Sequence, residues 1–495
     1  MLNIFPSREK FIEDAEAGVI SPLYVELPFH KPQQIYERIE SSHSFILESL
    51  HGPEKIARYS FLGAEPFLIF KVKNGSIEIS GKEKRVIRSS NPLKALKELI
   101  TAYKLKPRPG LPPFIGGAVG LISYDFVHYL EHLPRTTLDD LKIPYAHFMF
   151  VDTVIAIDHK LKKTFLISSP AAKEIMINPE EDTHDWASHY DNAVERISRL
   201  YSKIKSPLPP FKEPVAGKSK SVDIRHEITK KDYMDMVVKT KEYITAGDIF
   251  QANISQRVSA EIGNIKPWEL YKALSRINPS PFAAYLNMED YHIVSSSPER
   301  LVRVSEENVE TRPIAGTRRR GVDSKEDSTM RAELLLDEKE RAEHLMLIDL
   351  ERNDLGKISD YSTVTVDELM TTEDYSHVMH IVSNIRGRIV EGKDSFDVIR
   401  AVFPGGTITG VPKVRCMEII DELEPVARGP YTGSLGYISF TGEMDLNIII
   451  RSFVIKDSTA YVQAGAGIVA DSDPEREYYE TLKKAEALIK TLEIL

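Results

Sequence analysis

Apolar and polar residues alternate in short runs along the N-terminal part of the chain. Runs rich in β-branched and aromatic residues and bounded by turn formers are typical of strands, whereas apolar residues recurring every three or four positions are typical of helices. This pattern predicts strands at Ser44–Ser49, Arg58–Leu62, Pro66–Val72 and Phe148–Asp158, and helices at Asn91–Tyr103 and Asp185–Ser206.

The remainder of the chain gives sharper signals. Thr229 and Asp232 have the spacing of a capping box, and the helix that they begin is expected to end at Ala246–Gly247. Further helices are predicted at Asp337–Arg352 and from Asp473, and strands at Gln251–Val258, His377–Arg388, Tyr431–Phe440, Asp445–Ile455 and Tyr461–Val469, the last three as an antiparallel meander with turns at Thr441–Gly442 and Asp457–Ser458. Separate runs of strands and helices predict an α+β fold, with antiparallel sheets packed between helical layers.

A proline-rich segment separates the two parts. Ser206–Ser221 has little apolar periodicity, which is typical of a linker. A chain of 495 residues also exceeds what one hydrophobic core usually supports. We therefore predict two domains, residues 1–215 and 216–495.

A glycine- and threonine-rich loop leads into a central helix within Phe403–Arg428. Pro412 is expected in the first helical turn, where a missing N–H costs nothing, and apolar residues follow at Val414, Met417, Ile420 and Leu423. The backbone donors of Gly405–Gly410 could hold an anion at the helix N-terminus, beside Lys413 and Arg415. A plain loop-to-helix turn explains the same residues. The spacing differs from GxxxxGK[ST], so a nucleotide phosphate loop is not predicted.

Charge and cysteine content narrow the function classes. The net charge of −10 argues against a nucleic-acid partner, which requires a basic surface. Cys416 is the only cysteine, so neither an intrachain disulfide nor a cysteine-based zinc site is possible. The N-terminus lacks the apolar core of a signal peptide, and no long apolar run occurs. We expect a cytoplasmic protein.

Two pairs of glutamates have helical spacing. Glu340 and Glu343 are three apart on one predicted helix, and Glu477 and Glu480 are three apart on another, so each pair lies on one face. Opposed carboxylates would suit Mg²⁺ better than zinc. Solvated helix faces are the alternative.

Four further residues have two interpretations each. Glu299 lies in the turn Ser295–Leu301, where an exposed carboxylate is the usual finding. His377 and His380 would point to opposite faces of a strand, so a two-histidine metal site is not predicted and a core histidine is the ordinary interpretation. Arg451 lies among apolar strand positions and requires an acidic partner, from the protein or from a ligand.

Four sequence blocks together resemble the chorismate-utilising enzymes, in the order found in that family. The blocks are RPIAGTRRR at Arg312–Arg320, ERAEHLMLIDLERNDL at Glu340–Leu355, the loop and helix at Phe403–Arg428, and GAGIVADSDPEREYYETLKK at Gly465–Lys484. The resemblance implies Mg²⁺ as cofactor and chorismate as substrate.

The resemblance also implies site residues. It assigns Glu299 as the general acid for the departing C4 hydroxyl, His380 as a residue that assists this loss, and Gln251 in place of the lysine base of relatives that add water. Implied magnesium ligands are Glu343 and Glu480 directly and Glu340 and Glu477 through water, and implied substrate contacts are Gly406, Thr407, Tyr431, Arg451, Gly465, Ala466 and Gly467.

Ala315 bears on which reaction is implied. Typical aminodeoxychorismate synthases carry a nucleophilic lysine there, so with alanine ammonia itself would attack C2 and the product would be anthranilate, with loss of pyruvate. Cys416 lacks a nucleophile elbow. The resemblance therefore implies a separate glutamine amidotransferase subunit in a hetero-oligomer, or free ammonia.

An effector site is implied as well. Part of the family's tryptophan-feedback motif matches this chain at Leu47, Glu48 and Ser49, and its second half matches Asn278, Pro279, Ser280, Pro281 and Phe282. The N-terminal domain would then be regulatory and partner-binding. A strand end and a proline turn are the ordinary interpretation of these residues. Two rival functions remain open, namely aminodeoxychorismate synthase and a catalytically silent tryptophan-binding protein.

Overall fold

The structure is a computed structural model that describes residues 2–177, 185–207, 222–375 and 378–495. The α-helices are α1 Arg8–Glu16, α2 Pro32–Ile39, α3 Pro92–Thr101, α4 Ala172–Ile177, α5 Trp186–Lys205, α6 Lys230–Ala246, α7 Pro267–Ile277, α8 Ser324–Leu336, α9 Glu338–Gly356, α10 Ser395–Val402, α11 Lys413–Leu423 and α12 Pro474–Glu493, with 3-10 turns at Tyr124–Tyr129 and Gly406–Ile408. Among the described helices, none is both long and apolar enough to cross a membrane.

The strands form two large sheets in which every pairing between named strands is antiparallel. They are β1 Leu23–Pro28, β2 His43–Glu48, β3 Tyr59–Ala64, β4 Leu68–Lys73, β5 Ser76–Ser80, β6 Lys84–Arg88, β7 Gly117–Ile122, β8 Ala146–Val151, β9 Thr153–Asp158, β10 Lys163–Ser168, β11 Arg225–His226, β12 Gln251–Glu261, β13 Phe282–Met288, β14 His292–Ser297, β15 Arg300–Ser305, β16 Asn308–Arg312, β17 Ile314–Arg319, β18 Thr365–Asp374, β19 Val378–Arg388, β20 Gly410–Val411, β21 Ser434–Ser439, β22 Met444–Ile448, β23 Ser452–Lys456 and β24 Thr459–Ile468.

Each sheet contains strands from both parts of the chain. The first has the order β1-β10-β9-β3-β2-β13-β14-β23-β24-β12-β11, with β20 beside β12. The second has the order β17-β19-β16-β15-β22-β21-β7-β8-β4-β5-β6, with β18 beside β19. The two parts join where β2 pairs with β13 and where β7 pairs with β21. The α+β prediction is confirmed, and the two-domain division stays a prediction because the linker lies mostly in 208–221, outside the described residues.

The two faces of the first sheet pack into different cores. On β2 and β3, Phe45 and Phe61 lie in the core that includes residues of the second sheet, such as Phe148. The neighbouring residues Ile46 and Leu62 lie in the core shared with helices such as α2, α5 and α7. This is the consequence of strand alternation, since successive side chains point to opposite faces. The fold is thus layered, with helices outside the sheets.

Most local helix signals are confirmed. Asp232 and Thr229 form the predicted capping box at the start of α6, and Gly247 ends this helix in the left-handed conformation with φ 84°. Asp185 and Asp473 cap α5 and α12 by accepting hydrogen bonds from the first-turn backbone. Each of these signals is local in sequence, which is why the sequence alone predicts it.

The two hairpins of the predicted meander are confirmed as β21–β22 and β23–β24, with turns at the predicted residues, but the prediction that they form one continuous meander is wrong. The segment Asp445–Ile455 breaks into β22 and β23, which belong to different sheets. Between them Arg451 has φ 54°, a left-handed conformation that interrupts the strand. Phe148–Asp158 likewise splits into β8 and β9, in different sheets. Because the apolar pattern is continuous through both segments, the sequence does not reveal that the chain crosses from one sheet to the other within each of them.

The start of the central helix also differs from the prediction. Pro412 precedes α11 as its N-cap residue instead of lying in its first turn, and Val414 is 42% exposed. Lys413 pairs with Asp354, and Arg415 pairs with acidic residues of α11 and the α6–β12 loop. These cations are satisfied by the protein itself, so they give no support to an anion site at this helix end.

Candidate functional site

Two paired strands form one wall of the site. Gln251 and Asn253 lie on β12, opposite Gly465 and Gly467 on β24. A Cβ added to Gly467 would lie 2.3 Å from the Gln251 Nε2, and one added to Gly465 would lie 2.2 Å from the Asn253 Oδ1. Both glycines are therefore needed for close approach of these amides. Ala466, between the two glycines, is fully buried.

The glycine loop forms a second wall. Gly406 and Thr407 lie in a 3-10 turn between α10 and β20. A Cβ on Gly406 would lie 2.2 Å from the Leu350 Cδ2 on α9, so the loop is pressed against that helix. The Asn253 Nδ2 donates a hydrogen bond to the Thr407 carbonyl at 3.5 Å, which ties the loop to β12.

Four buried polar atoms around these walls have no hydrogen-bond partner in the described structure. They are the Oε1 of Gln251, the Oδ1 of Asn253, the Oε1 of Glu299 and the Oγ1 of Thr407. Buried polar groups are nearly always paired in folded proteins, and an unpaired group is destabilising. A cluster of them marks a place where a polar ligand completes the hydrogen bonding.

Glu299 is buried between β14 and β15, with 6% exposure. Burial raises the pKa of this carboxyl to about 7, while the nearby Thr407 hydroxyl, whose contact falls short of a formed hydrogen bond, and the charge of Lys484 act in the opposite direction. The expectation of an exposed turn carboxylate is wrong, because Glu299 is buried and its backbone carbonyl accepts a hydrogen bond from the Ile448 N–H. A carboxyl that keeps its proton near neutrality is suited to general acid catalysis.

His380 lies on β19 beside a bulge in β17. The pairing of β17 with β19 shifts register at Gly316, which has φ 66°, and this directs its carbonyl to the His380 Nδ1 at 3.2 Å. The Thr317 hydroxyl, which can donate or accept, lies 3.0 Å from the same Nδ1, so both polar contacts of the ring are made at this atom. Burial lowers the pKa of His380 to about 4, so the ring is neutral at pH 7. His377 lies outside the described residues.

Arg451 enters the site at the junction of the two sheets. Its Nη1 donates to the Lys484 carbonyl at 2.6 Å, and burial lowers the pKa of its guanidinium. No carboxylate of the described residues forms an ion pair with it. Tyr431 and Glu480 are the groups that act on its charge favourably. The unusual backbone conformation and the unpaired cation occur at the same residue, which is typical of functional positions.

The predicted magnesium glutamates lie on α9 and α12, where Glu343 contacts Gln251 and Glu480 contacts Lys484. Glu343 accepts from the Gln251 Nε2 at 3.1 Å, Glu340 from the Arg318 Nη1 at 3.2 Å, and Glu480 pairs with Lys484 at 2.7 Å. Burial raises the pKa of Glu343, and the charges of Glu340 and Glu480 raise it further. The carboxylates of α9 and α12 are therefore close enough to repel.

These carboxylates are suitable donors for a divalent cation, although they do not converge on a common point. Within the described ranges, no three acidic, histidine or cysteine side chains converge into a ready metal site. Carboxylate oxygens are nevertheless the donors that Mg²⁺ prefers, and Mg²⁺ keeps several waters and shares its coordination with substrate oxygens. Mutually repelling carboxylates at Glu343 and Glu480 are the donor set that such an ion would neutralise.

Sequence reasoning missed two residues of the site. Lys484 donates to the Gly465 carbonyl at 3.0 Å and pairs with Glu480, four residues earlier on α12. A Glu–Lys pair at this spacing is normally a surface pair, so nothing in the sequence distinguishes Lys484 from an ordinary surface lysine. Asn253 could have been found, because it lies two residues from Gln251 on the same strand face.

A separate cavity of about 600 Å³ lies at the junction of β2 and β13. Of the predicted effector residues, Leu47, Glu48, Ser49, Pro281 and Phe282 line it, whereas Asn278, Pro279 and Ser280 do not. Its wall also contains Lys55, Arg300 and Asp445. We call it the effector cavity. The Glu48 carboxylate accepts from Tyr271 and Gln33 and is therefore satisfied by the protein.

Comparison with known proteins places this architecture in a defined class. The model of the chorismate binding enzyme family matches residues 42–490, so the chain belongs to that family and is a chorismate-utilising enzyme.

Individual relatives agree with this class. Anthranilate synthase component 1 of Acetivibrio thermocellus is 46% identical over 475 residues, covering 93% of this chain and 92% of the relative. Aminodeoxychorismate synthase component 1 of Bacillus subtilis is 40% identical, covering 96% and 97%. The crystal structure of anthranilate synthase component I from Streptococcus pneumoniae superposes with a TM-score of 0.77 at 35% identity, covering 93% of this chain and 97% of that chain.

Proposed function

We propose that this chain converts chorismate and ammonia into anthranilate, pyruvate and water. The observation that carries the proposal is Arg451, a half-buried guanidinium without a carboxylate partner among the described residues, together with the four unpaired buried polar atoms of the site. Chorismate is a small dicarboxylate with a ring hydroxyl. Its enolpyruvyl carboxylate pairs with Arg451 and Tyr431, and the amide and hydroxyl groups of Gln251, Asn253 and Thr407 bind the remaining polar atoms.

The first chemical step is substitution across the ring. Ammonia forms a bond to C2 while the C4–O bond breaks, and the departing hydroxyl takes the proton of Glu299 and leaves as water. The ammonium group formed at C2 then releases one proton, and the Glu299 carboxylate takes up one proton, which restores the acid. The raised pKa of Glu299 supports this role. Neutral His380, held at Nδ1 by Gly316 and Thr317, lies beside the substrate ring and assists the loss. The Gln251 amide orients ammonia, which needs no base because it is already a nucleophile.

The second step is elimination. The C2 proton is lost, the C3–O bond to the enolpyruvyl group breaks, and the released enolate takes up a proton to become pyruvate. Aromatisation of the ring drives this step. A bound Mg²⁺ would supply charge neutralisation at the ring carboxylate, with Glu343 and Glu480 as direct ligands and Glu340 and Glu477 through water.

Ammonia is supplied by a glutamine amidotransferase partner subunit. The only cysteine, Cys416, is fully buried in α11, and burial raises the pKa of its thiol to about 12. A thiol held in this way is inert as a nucleophile. This supports a hetero-oligomer in which the glutaminase chemistry belongs to another chain, as the name "component 1" of the relatives also suggests.

Feedback by tryptophan acts through the effector cavity. The cavity has a volume suited to an amino acid and has an aromatic wall at Phe282, over which the Arg300 guanidinium lies 5.2 Å from the ring centroid. It lies where the two parts of the chain share a sheet, so an effector bound there contacts both.

Aminodeoxychorismate synthase is the second candidate, because a relative of that activity is 40% identical. Ala315 favours the first candidate. It is buried on β17, paired with Ile381, and offers no amine to attack C2.

Comparison of two arginines, Arg428 and Arg451, tests the proposal. Arg428 is buried with Glu424 at 2.7 Å, whereas Arg451 has no such partner among the described residues. Arg428→Met should destabilise the fold by about 3 to 5 kcal/mol, because it leaves the buried Glu424 carboxylate without its partner. Arg451→Met should leave the melting temperature unchanged or higher, yet abolish chorismate binding measured by calorimetry with Mg²⁺.

The outcome that contradicts the proposal is equally definite. Chorismate binding by Arg451→Met at wild-type affinity would show that this cation is not the carboxylate partner.

A further inference from the structure

Tyr375 packs against the ring of His380. The ring centroids are 5.3 Å apart and the planes meet at 66°, an edge-to-face arrangement. Tyr375 follows β18 and is 5% exposed. The Gly316 carbonyl and the Thr317 hydroxyl both contact the imidazole at Nδ1, so these polar contacts hold one atom of the ring, whereas Tyr375 packs against the ring itself. The tyrosine therefore sets the plane of the ring.

A buried ion pair holds Tyr375 in turn. Its hydroxyl donates to the Glu373 Oε2 at 2.9 Å, while the Glu373 Oε1 accepts from the Arg312 Nε at 3.0 Å and Nη2 at 2.6 Å. Arg312 and Glu373 are 4% and 5% exposed. Buried ion pairs often contribute little net stability, because desolvation offsets their attraction. A fully satisfied pair does fix geometry, which is the role that this position requires.

The same arginine extends towards the effector cavity. Its Nη2 also donates to the Glu368 Oε2 at 2.7 Å, and Glu368 forms an ion pair with Lys55. Lys55 lines the cavity. A continuous series of ion pairs and hydrogen bonds therefore connects Lys55 in the cavity wall with Tyr375, which packs against His380. We call Lys55, Glu368, Arg312, Glu373 and Tyr375 the Arg312 network.

We propose that Tyr375 is the positioning residue of His380, and that the Arg312 network makes this position responsive to occupancy of the effector cavity. The inference rests on the proposed function, because His380 must take part in catalysis for its orientation to matter. Displacement of Lys55 by an effector withdraws a charge from Glu368, which redistributes the contacts of Arg312 between Glu368 and Glu373.

The positioning role is tested with Tyr375→Phe and Tyr375→Leu in the full chain. The first removes the hydroxyl and the second also removes the ring. We expect kcat with chorismate, Mg²⁺ and ammonium to fall by about three- to tenfold for phenylalanine, the equivalent of one hydrogen bond, and further for leucine, with KM for chorismate unchanged. Tyr103→Phe is the control, since its buried hydroxyl donates to Pro170; it should alter stability alone.

The possible results distinguish failure of the positioning role from failure of the proposed function on which it rests. Wild-type kcat in both Tyr375 variants, with an active wild-type enzyme, would overturn the positioning role. Loss of kcat that tracks the melting temperature equally in Tyr103→Phe would overturn it too, since a merely structural contact gives that result. An inactive wild-type enzyme would instead contradict the proposed function.

The link to the effector cavity is tested with Glu368→Gln and tryptophan as probe. The ratio of uninhibited to inhibited rate at saturating tryptophan should fall by about fivefold or more, while tryptophan binding by calorimetry persists. Glu26→Gln is the control, because Glu26 forms an exposed ion pair with Lys163 elsewhere. An unchanged ratio in Glu368→Gln would overturn the link. Absence of tryptophan binding to the wild type would overturn both the effector assignment and the link, and would leave the Tyr375 result standing.

Discussion

Glu299 is a buried carboxyl whose surroundings suit the general-acid role proposed for it. Burial raises its pKa from 4.5 to about 7, and one oxygen has no partner in the described structure. Both features are unfavourable for folding, since the ionised form is penalised and a lone pair is left unpaired. Sites of catalysis are where such features are retained.

This pKa leads to a prediction about stability. Between pH 4.5 and about 7 the folded state keeps the Glu299 proton while the unfolded state loses it, so stability falls as pH rises. From about pH 5 to about pH 8 the loss should be about 2 to 3 kcal/mol. Glu299→Gln carries no such group and should escape this part of the loss, as measured by denaturant unfolding without substrate or metal.

Identical pH dependence of stability in wild type and Glu299→Gln would contradict the raised pKa. The same pKa predicts that kcat/KM, expressed per unprotonated ammonia, declines above about pH 7 because the acid loses its proton.

At the residue scale, sequence patterns predict candidate functional residues but not their burial or their non-local contacts. The need of Arg451 for an anionic partner was predictable from its apolar neighbours, and no protein carboxylate among the described residues meets it. Burial of Glu299 was not predictable, because a Ser–Pro–Glu turn is exposed unless non-local packing covers it. Lys484 escaped notice because its spacing from Glu480 is that of an ordinary surface pair.

At the scale of elements, the two glycines of β24 let β12 present its amides to the site. Gly467→Ala would place a Cβ 2.3 Å from the Gln251 Nε2, the end of a flexible side chain, so the fold should survive and the amide should shift away from Glu343. We expect activity to fall by about tenfold or more, because small misplacements of site groups are costly.

Gly356→Ala is the matched control for this prediction, since no atom lies within 4 Å of the position of its added Cβ. Its activity and melting temperature should stay near those of the wild type. Equal activity of the two variants would show that the approach of β24 to Gln251 has no functional role.

Local signals account for what the sequence predicts at this scale. Caps such as Thr229 and Asp473, and the stop at Gly247, act within one helical turn and were confirmed. The break at Arg451 depends on a transfer between sheets. Nothing within a short window distinguishes such a crossing from a continuous strand.

At the scale of the whole molecule, both sheets interleave the two parts of the chain. Pairing of β2 with β13 places the effector cavity on one side of this junction, and β22 and β23 carry the chain from one sheet to the other at the site. Sheet membership depends on pairing between residues far apart in sequence, so the fold class was predictable and the strand order was not. The Arg312 network spans the distance between cavity and site through direct contacts.

The product of the reaction tests the central claim most directly. The purified chain would be incubated with chorismate, Mg²⁺ and ammonium, with and without tryptophan, and the products separated by chromatography. We expect anthranilate and pyruvate in equal amounts, suppressed by tryptophan. A 4-amino product would contradict the assignment that rests on Ala315, and absence of any product even with an added glutaminase subunit would contradict the proposed amination as a whole.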